Sequence, residues 1–151
     1  MSDANDVLKI IKDQDAAHAR GDARAIVTPV SEHVVLFDLP PPLQMVGTAD
    51  DGIAGLEEWF DTWENGVSVE LQNPTVIVEG DLAVVFGLSQ MKGVKKGEGP
   101  VDAWNRRTVV LSRRDGQWKI IHEHSSYPMA MDGSRRAMTE LRPVEPAAKD
   151  K

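Results

Sequence analysis

Residues 113–128 read RRDGQWKIIHEHSSYP and hold a turn signal between two runs that favour β-strands. Asp115 and Gly116 both tolerate the positive φ that a two-residue type I′ turn requires. Apolar and β-branched residues are frequent in Asn105–Ser112 on one side and in Trp118–Ser126 on the other. These features predict one long antiparallel hairpin near the C-terminal end of the chain.

The tight turn predicts the register of the hairpin, because it places Arg114 opposite Gln117. Counting outward puts these pairs on one face: Arg113 with Trp118, Leu111 with Ile120, Val109 with His122, Arg107 with His124, and Asn105 with Ser126. The other face carries Trp104, Arg106, Thr108, Val110, Ile121 and Glu123. The first face is apolar near the turn and polar farther away, so we predict a core that opens into a pocket. A bulge beside Gly116 would reverse the assignments in one strand.

The composition indicates a single domain and excludes several classes of function. The chain has 151 residues, with 17 Lys and Arg against 24 Asp and Glu, and a formal charge of −7. An acidic chain without a basic run is a poor partner for nucleic acid or for an anionic membrane. The absence of cysteine excludes disulfides, a thiol nucleophile and zinc–thiolate sites. The charged N-terminus does not resemble a signal peptide and no apolar run approaches about 20 residues, so a cytoplasmic protein is expected.

Helices are predicted ahead of most of the strands. Apolar spacing and capping residues predict helices over Asp3–Arg20, Ala23–Val27 and Asp51–Glu64. Strands are predicted over Glu32–Asp38, Val67–Gln72, Thr75–Glu79 and Leu82–Val94, in addition to the hairpin. This order predicts an α+β fold in which a cone-like, strongly curved, mainly antiparallel sheet wraps around about three N-terminal helices. One domain is expected over residues 1–130, with 131–151 as a partly disordered extension that contains a short helix over Ser134–Leu141.

Two stretches resemble the nuclear-transport-factor-2-like superfamily, which includes ketosteroid isomerases, SnoaL-like polyketide cyclases and scytalone dehydratases. The hairpin RRDGQWKIIHEHSS is similar to the closing hairpin of SnoaL-like proteins. It is also similar to the end of the association domain of calcium/calmodulin-dependent kinase II, which serves assembly. Gly21-Asp22, followed by VLFDLPPP and Gly47, is similar to the corresponding stretch of ketosteroid isomerases. The resemblance spans about Val7 to Pro128 and implies the same cone-like fold.

The resemblance implies that Asp38 is a general base, since an acid at the end of the first strand has that role in ketosteroid isomerases. A carboxylate at an apolar pocket mouth also gains basicity by desolvation. The oxyanion-binding tyrosine of those enzymes corresponds to Gln14 here, and the later strand offers Arg107 or Asn105 in place of their acid. This departure argues against steroid isomerisation. The alternative for Asp38 is that it only caps the turn before Pro40.

The other candidate catalytic residues lie on the hairpin. His122 and His124 are two residues apart on a strand, so both are predicted to face the pocket, where they could exchange protons. A structural pair bonded to neighbouring groups is the alternative. Arg107 is predicted to hold a carboxylate or a developing oxyanion, because guanidinium stays charged when partly buried. A salt bridge from Arg107 to Asp38 or Glu123 is the alternative reading.

The predicted ligand-binding positions are Gln14, Trp63, Asn105, Trp118 and Ile120. Trp118 and Ile120 would form the apolar floor of the pocket. No metal and no cofactor is expected, because a His-x-His pair alone does not define a metal site. His18 and His33 are assigned to the surface.

These residues predict a small-molecule acid–base enzyme, either an isomerase, a cyclase or a dehydratase of the lyase class. Its ligand is expected to contain a carbonyl or a carboxylate. The alternative is a non-catalytic module that binds a small molecule or assembles subunits. A homodimer is expected, because Trp104, Val110 and Ile121 make the second hairpin face too apolar for solvent.

Overall fold

The computed structural model describes residues 2–47 and 49–144. Within them lie three helices: α1 (Asp3–Ala19), α2 (Ala23–Val27) and α3 (Ala49–Phe60). The Ser2 hydroxyl caps α1 and the Asp22 carboxylate caps α2, each by accepting a hydrogen bond from the N–H three residues later. Such caps satisfy amide groups that a helix leaves unpaired at its start. No helix among the described residues is long and apolar enough to cross a membrane.

The strands of the described chain form one open, six-stranded sheet. They are β1 (Val30–Phe37), β2 (Met45–Gly47), β3 (Trp63–Glu79), β4 (Leu82–Lys95), β5 (Gly99–Arg114) and β6 (Gln117–Ser126). Their order across the sheet is β2-β1-β6-β5-β4-β3, and all neighbours are antiparallel except β1 and β6, which run parallel. α1 packs against β3, so the curved sheet has a concave face towards the helices and a convex face away from them. The predicted α+β class is confirmed.

Several predicted boundaries differ from the structure. Trp63 begins β3, although the pattern placed it in the third helix, which ends at Phe60. The two strands predicted on either side of Asn73 are one strand with an irregularity between Gln72 and Thr75. The short strand β2 was not predicted. No helix forms over Ser134–Leu141, and the predicted disorder of residues 145–151 lies outside the described residues.

The apolar core lies between α1 and the concave face of the sheet. Its buried residues are Val7, Ile11, Val34, Leu71, Ala83, Val85, Val109, Leu111, Trp118 and Ile120. On β5, every second residue from Ala103 to Leu111 is buried, including Asn105 and Arg107. The concave face of β5 is therefore apolar near the hairpin turn and polar towards the other end of the strand, as predicted.

The register of the β5–β6 hairpin agrees with the prediction only beside the turn. Arg114 lies opposite Gln117 and Leu111 lies opposite Ile120, as predicted. The next pair joins Val110 to His122, so a β-bulge at Ile121 inserts one extra residue into β6.

The bulge reverses the predicted orientation of the rest of β6. Val109 lies opposite Glu123, Thr108 opposite His124, and Arg107 opposite Ser125. Residues that face each other in an antiparallel pair share a face, so Glu123 lies on the concave face with Arg107. His122 and His124 lie on the convex face. The predicted pairs Val109–His122, Arg107–His124 and Asn105–Ser126 are wrong, and so is the predicted face of Glu123.

The bulge coincides with the parallel pairing of β1 on the other side of β6. The Ile120 N–H donates to the Pro29 carbonyl at 2.8 Å, and the β1–β6 register shifts between Val30 and Val35. β6 therefore has to pair with β1 as well as with β5 next to the bulge. The residues of the hairpin turn do not predict the pairing with β1.

The segment after β6 folds back on itself. An antiparallel bridge joins Met129 to Ala137, and Ala130 between them is buried. Farther along, Arg142 forms an ion pair with Asp102 on β5 at 2.9 Å. This C-terminal segment, residues 128–144, is thus folded on itself by the Met129–Ala137 bridge and attached to β5 by the Arg142–Asp102 ion pair.

Candidate functional site

A buried guanidinium organises the polar half of the concave face. Arg107 Nε donates to Glu123 Oε1 at 2.5 Å, and its Nη1 donates to Asp15 Oδ1 at 3.1 Å. A longer contact of 3.4 Å joins Nη2 to Gln14 Oε1. All three guanidinium nitrogens therefore contact acceptors of the protein. We call these four residues the arginine cluster.

The arginine cluster joins α1 to three strands. The second oxygen of Asp15 accepts the Leu71 N–H of β3 at 2.9 Å, and Gln14 Nε2 donates to the Ile26 carbonyl at the end of α2 at 2.8 Å. The cluster thus fixes where α1 lies on the sheet. Although burial pulls the pKa of Arg107 down, the carboxylates of Glu123 and Asp15 outweigh that effect and hold it above its usual range. Arg107 stays charged, and the protein's own acids surround it.

Asp38 follows β1 and lies beside the arginine cluster. Partial desolvation raises the pKa of its carboxyl group above the ordinary value. A hydrogen bond from the Leu39 N–H to Oδ1, at 2.7 Å, opposes this shift, and the charge of Glu123 adds to it. The carboxylate is still accessible to solvent. Asp38 therefore combines increased basicity with access for a ligand.

His18 lies on α1 near the same charged groups. Its ring meets the edges of Trp59 and Phe60 with centroids 6.5 and 6.2 Å apart, and Nδ1 lies 2.9 Å from the Gln14 carbonyl. A carbonyl only accepts, so Nδ1 carries the hydrogen and the neutral ring presents a lone pair at Nε2. Burial lowers the pKa of His18 below its usual range, which favours this neutral form.

Three buried polar atoms of the described chain lack a hydrogen-bond partner. They are Trp63 Nε1, Ser89 Oγ and Asn105 Oδ1. Ser89 and Asn105 lie directly opposite each other on β4 and β5, on the concave face. Buried polar groups are normally paired, so these atoms indicate an interior able to take a polar group.

A groove of about 560 Å³ opens where β1 and β6 end, and it contains Asp38. Its other lining residues are Phe37, Leu39, Leu43, Gln44, His124, Ser125, Ser126, Tyr127 and Ala137. We call it the Asp38 groove. Polar side chains and apolar walls alternate around it, which is typical of small-molecule sites.

Residues 7–130 match the family model of the SnoaL-like domain. The chain belongs to this SnoaL-like family. No curated protein matches the chain.

Solved structures agree with this family. A nuclear-transport-factor-2-like protein of unknown function from Pseudomonas putida is 29% identical, with 93% of this chain and 96% of that chain covered and a TM-score of 0.81. A candidate calcium/calmodulin-dependent protein kinase II association domain from Xanthomonas campestris is 22% identical, covering 93% and 91%, with a TM-score of 0.70. A candidate scytalone dehydratase from Novosphingobium aromaticivorans is 19% identical, covering 96% and 100%, with a TM-score of 0.70. The last two likenesses concern the fold alone.

The SnoaL-like fold separates the residues that the sequence placed in one site. Asp38 and His124 line the same groove, whereas Arg107 lies outside it in the arginine cluster. His122 and His124 pack around Phe37 with ring centroids 4.7 and 5.4 Å away. His122 Nδ1 also contacts the Val35 carbonyl at 2.7 Å. The predicted register placed both histidines on the concave face with Arg107, and in the structure they do not lie on that face.

The predicted ligand-binding residues fall into two groups. Gln14, Trp63 and Asn105 are buried in the polar half of the interior. Trp118 and Ile120 belong to the apolar core, with the Arg113 guanidinium 4.8 Å from the Trp118 ring. None of the five lines the Asp38 groove. Among the described residues, no three His, Asp or Glu side chains are placed to hold a metal ion.

Sequence reasoning missed Asp15, His18 and Tyr127, and it placed Glu123 on the wrong face. Helical spacing put His18 one turn after Gln14, so it could have been assigned to the helix face that carries the cluster. Its assignment to the surface is wrong, whereas His33 is exposed as predicted. No local signal joins Asp15 to Arg107, because 92 residues separate them.

Proposed function

We propose that this SnoaL-like protein is an acid–base enzyme that acts on a small, neutral carbonyl compound, with Asp38 as the base. The observation that carries the proposal is the position of Asp38, whose partly desolvated carboxylate lines a groove of ligand size. A general base is most effective when its pKa lies near the operating pH, and desolvation raises the pKa of a carboxyl group towards that pH. The predicted reaction types, isomerisation, cyclisation and dehydration, all begin with such a proton transfer.

The charges around the site favour a neutral ligand over the carboxylate that the sequence left open. Asp15 and Glu123 both bind the Arg107 guanidinium, so its charge is already matched inside the protein. Among the described residues that line the groove there is no lysine or arginine, so a carboxylate ligand would enter beside the charge of Asp38 without such a cation to meet it. His18 adds no charge when it is neutral.

The comparisons support enzyme chemistry without selecting the reaction. One structure with this fold is a candidate scytalone dehydratase and another is a candidate dehydratase from Streptomyces avermitilis. Dehydration therefore ranks beside isomerisation for this chain. A lyase or isomerase assignment depends on whether the carbon next to the enolate carries a hydroxyl group that can leave.

Proton exchange tests the proposal without knowledge of the substrate. In D₂O, a base in the groove should exchange the α-hydrogens of a bound ketone, and NMR measures the rate for a panel such as cyclohexanone and β-tetralone. Asp38→Asn should lower the catalysed rate by about 10²- to 10⁴-fold, the usual contribution of a general base. Asp13→Asn is the matched control, because Asp13 is an exposed carboxylate of α1. Equal rates in wild type and Asp38→Asn would reject Asp38 as the base.

The second candidate function is assembly or binding without catalysis, and the convex face of the sheet favours it. Leu82, Phe86 and Leu88 on β4 and Ile77 on β3 are 40–48% exposed there. A solved association domain of calcium/calmodulin-dependent kinase II shares the fold. We therefore propose that two copies pair through this face, and that the protein is a homodimer.

Sedimentation tests the dimer. The 16.6 kDa chain should sediment as a dimer at micromolar concentration, and Phe86→Glu should convert it to a monomer. Val46→Glu is the control, because Val46 is an exposed apolar residue of the short strand β2. A wild-type monomer, or a dimer unaffected by Phe86→Glu, would contradict this interface.

A further inference from the structure

Tyr127 is the only tyrosine of the chain, and it lines the Asp38 groove. Its side chain is half-buried. Burial alone raises the pKa of its hydroxyl group, with no contribution from a hydrogen bond or a neighbouring charge. The phenol therefore stays protonated, and its hydroxyl group has no hydrogen-bond partner among the described residues. A half-buried hydroxyl of this kind is suited to donating a hydrogen bond to a ligand.

The strand register sets the separation of Tyr127 from Asp38. Phe37 pairs with His124 at the end of the parallel β1–β6 ladder, and the next residues along the two segments are Asp38 and Ser125. Tyr127 is two residues farther along the same chain. If the strand spacing of about 4.8 Å and the rise of about 3.3 Å per residue continue just past the ends of β1 and β6, the two Cα atoms are roughly 8 Å apart. A small carbonyl compound fits between two side chains at that separation.

We infer that Tyr127 is a second catalytic residue, whose hydroxyl donates a hydrogen bond to the carbonyl oxygen of the ligand while Asp38 removes the α-hydrogen. This inference rests on the proposed function, and it adds the oxyanion donor that the proposed function lacks. The tyrosine of ketosteroid isomerases corresponds to Gln14 here, and the Gln14 side chain is already hydrogen-bonded to the Ile26 carbonyl and to Arg107. The groove supplies a tyrosine from the end of β6 instead.

The reaction needs no oxidant, reductant or other reactant, because every proton and electron pair stays within the ligand and these two side chains. The C–H bond breaks and its proton moves to Asp38, while its electron pair forms the C=C bond and the carbonyl π pair moves to oxygen. The Tyr127 O–H stabilises the resulting enolate oxygen without giving up its proton. The enolate oxygen pair then re-forms the C=O bond while protonated Asp38 returns the proton. In a β,γ-unsaturated ketone the proton goes to the γ-carbon of the dienolate and the double bond moves to the α,β position, which gives isomerisation. In a β-hydroxy ketone the α,β double bond forms as the C–O bond breaks, and the proton goes to the departing hydroxyl group, which leaves as water.

Tyr127→Phe removes only the hydroxyl group and tests the donor role. In the α-hydrogen exchange assay the variant should lose about 10²- to 10³-fold in kcat with little change in KM, as expected for one oxyanion donor. Ser112→Ala is the control, because it removes a hydroxyl group from the end of β5 beside the hairpin turn, away from the Asp38 groove. This variant should leave the rate unchanged. Naphthol serves as a mimic of the enolate, and its affinity should fall about 10- to 100-fold in Tyr127→Phe.

A direct readout follows from the single tyrosine. The NMR signal of ¹³Cζ-labelled tyrosine reports the ionisation of Tyr127 alone, because the chain has one tyrosine, and bound naphthol should move that transition to higher pH. An unchanged transition, together with naphthol affinity that Tyr127→Phe does not alter, would overturn the inference.

The outcomes separate the inference from the function on which it rests. Loss of exchange in Asp38→Asn with a normal rate in Tyr127→Phe overturns the role of Tyr127 and keeps Asp38 as the base. Normal exchange in Asp38→Asn with weakened naphthol binding in Tyr127→Phe overturns the proposed base and supports Tyr127 as the donor. Loss in both variants supports both.

Discussion

Replacement of Arg107 by Met tests whether the guanidinium holds the fold or binds a ligand. The side chain of Arg107 is 5% exposed, and those of its partners Asp15 and Glu123 are 11% and 23% exposed. Methionine is of similar length and fills much of the space, but it leaves both carboxylates without their cation. Removing one partner from a buried ion pair costs about 3–5 kcal/mol. For a domain of this size, each kcal/mol lowers Tm by about 2–4 °C, so a fall of about 6–20 °C is expected.

Urea denaturation followed by circular dichroism at pH 7 measures the free energy of unfolding. The matched control is Arg106→Met, because Arg106 is the preceding residue of β5 and is exposed on the convex face. An exposed substitution of this kind should change stability by no more than about 0.5 kcal/mol.

A compensated variant identifies the cause of the loss. Asp15→Asn and Glu123→Gln, added to Arg107→Met, should restore much of the stability, because they remove the two unpaired charges. If Arg107→Met is as stable as Arg106→Met, the guanidinium is not a structural anchor. If the triple variant is as unstable as Arg107→Met alone, desolvation of the carboxylates is not the reason.

Two further perturbations test the surroundings of His18 on α1 and of Trp63 on β3. Burial lowers the pKa of His18, so the folded state binds a proton at this imidazole less well than the unfolded state does. The stability of the fold with neutral His18 is therefore full above about pH 6.5, and it is lost as the pH falls below that value. His18→Gln should therefore reduce the loss of stability between pH 7 and pH 5 in thermal melts, while His33→Gln, at an exposed site, should not; equal curves would contradict the assigned environment of His18. A Cβ at Gly93 would lie 2.9 Å from Cε3 of Trp63, so Gly93→Ala should cost about 1–3 kcal/mol by urea denaturation. Gly55→Ala, in open space on α3, should instead stabilise by about 0.4–1 kcal/mol, and a neutral Gly93→Ala would show that Trp63 is free to move.

Much of the fold could be predicted because its signals are local. α2 has the predicted bounds, since Asp22 caps its start and Pro29 follows its end. The hairpin turn and the first pairs beside it are also correct, because an Asp-Gly turn determines its own register. The concave face of β5 follows from alternation along that strand.

The errors arise where distant segments compete for one strand. β6 pairs with β5 on one side and with β1 on the other, and the bulge at Ile121 lies where the β1 register also shifts. A single inserted residue exchanged the faces of Glu123 and His124. His124 was therefore wrongly predicted as the cross-strand partner of Arg107, whereas the alternative of a salt bridge from Arg107 to Glu123 is confirmed, and Arg107 itself was placed correctly on the concave face.

The arginine cluster explains how this SnoaL-like interior differs from one that binds an anion. An arginine with an accessible guanidinium would offer its charge to a ligand, but here Asp15 and Glu123 bind it first. Its charge then stabilises the contact between α1 and the sheet and leaves Asp38 as the accessible charge of the groove. The donors that the groove offers a ligand include the neutral hydroxyl groups of Tyr127, Ser125 and Ser126. A carbonyl oxygen that becomes negative only during proton transfer is stabilised by such donors, while a permanently charged carboxylate would be repelled by Asp38 at every stage of binding. If the proposed function holds, the use of Arg107 as a structural anchor therefore favours the transition state of proton transfer over an anionic ground state.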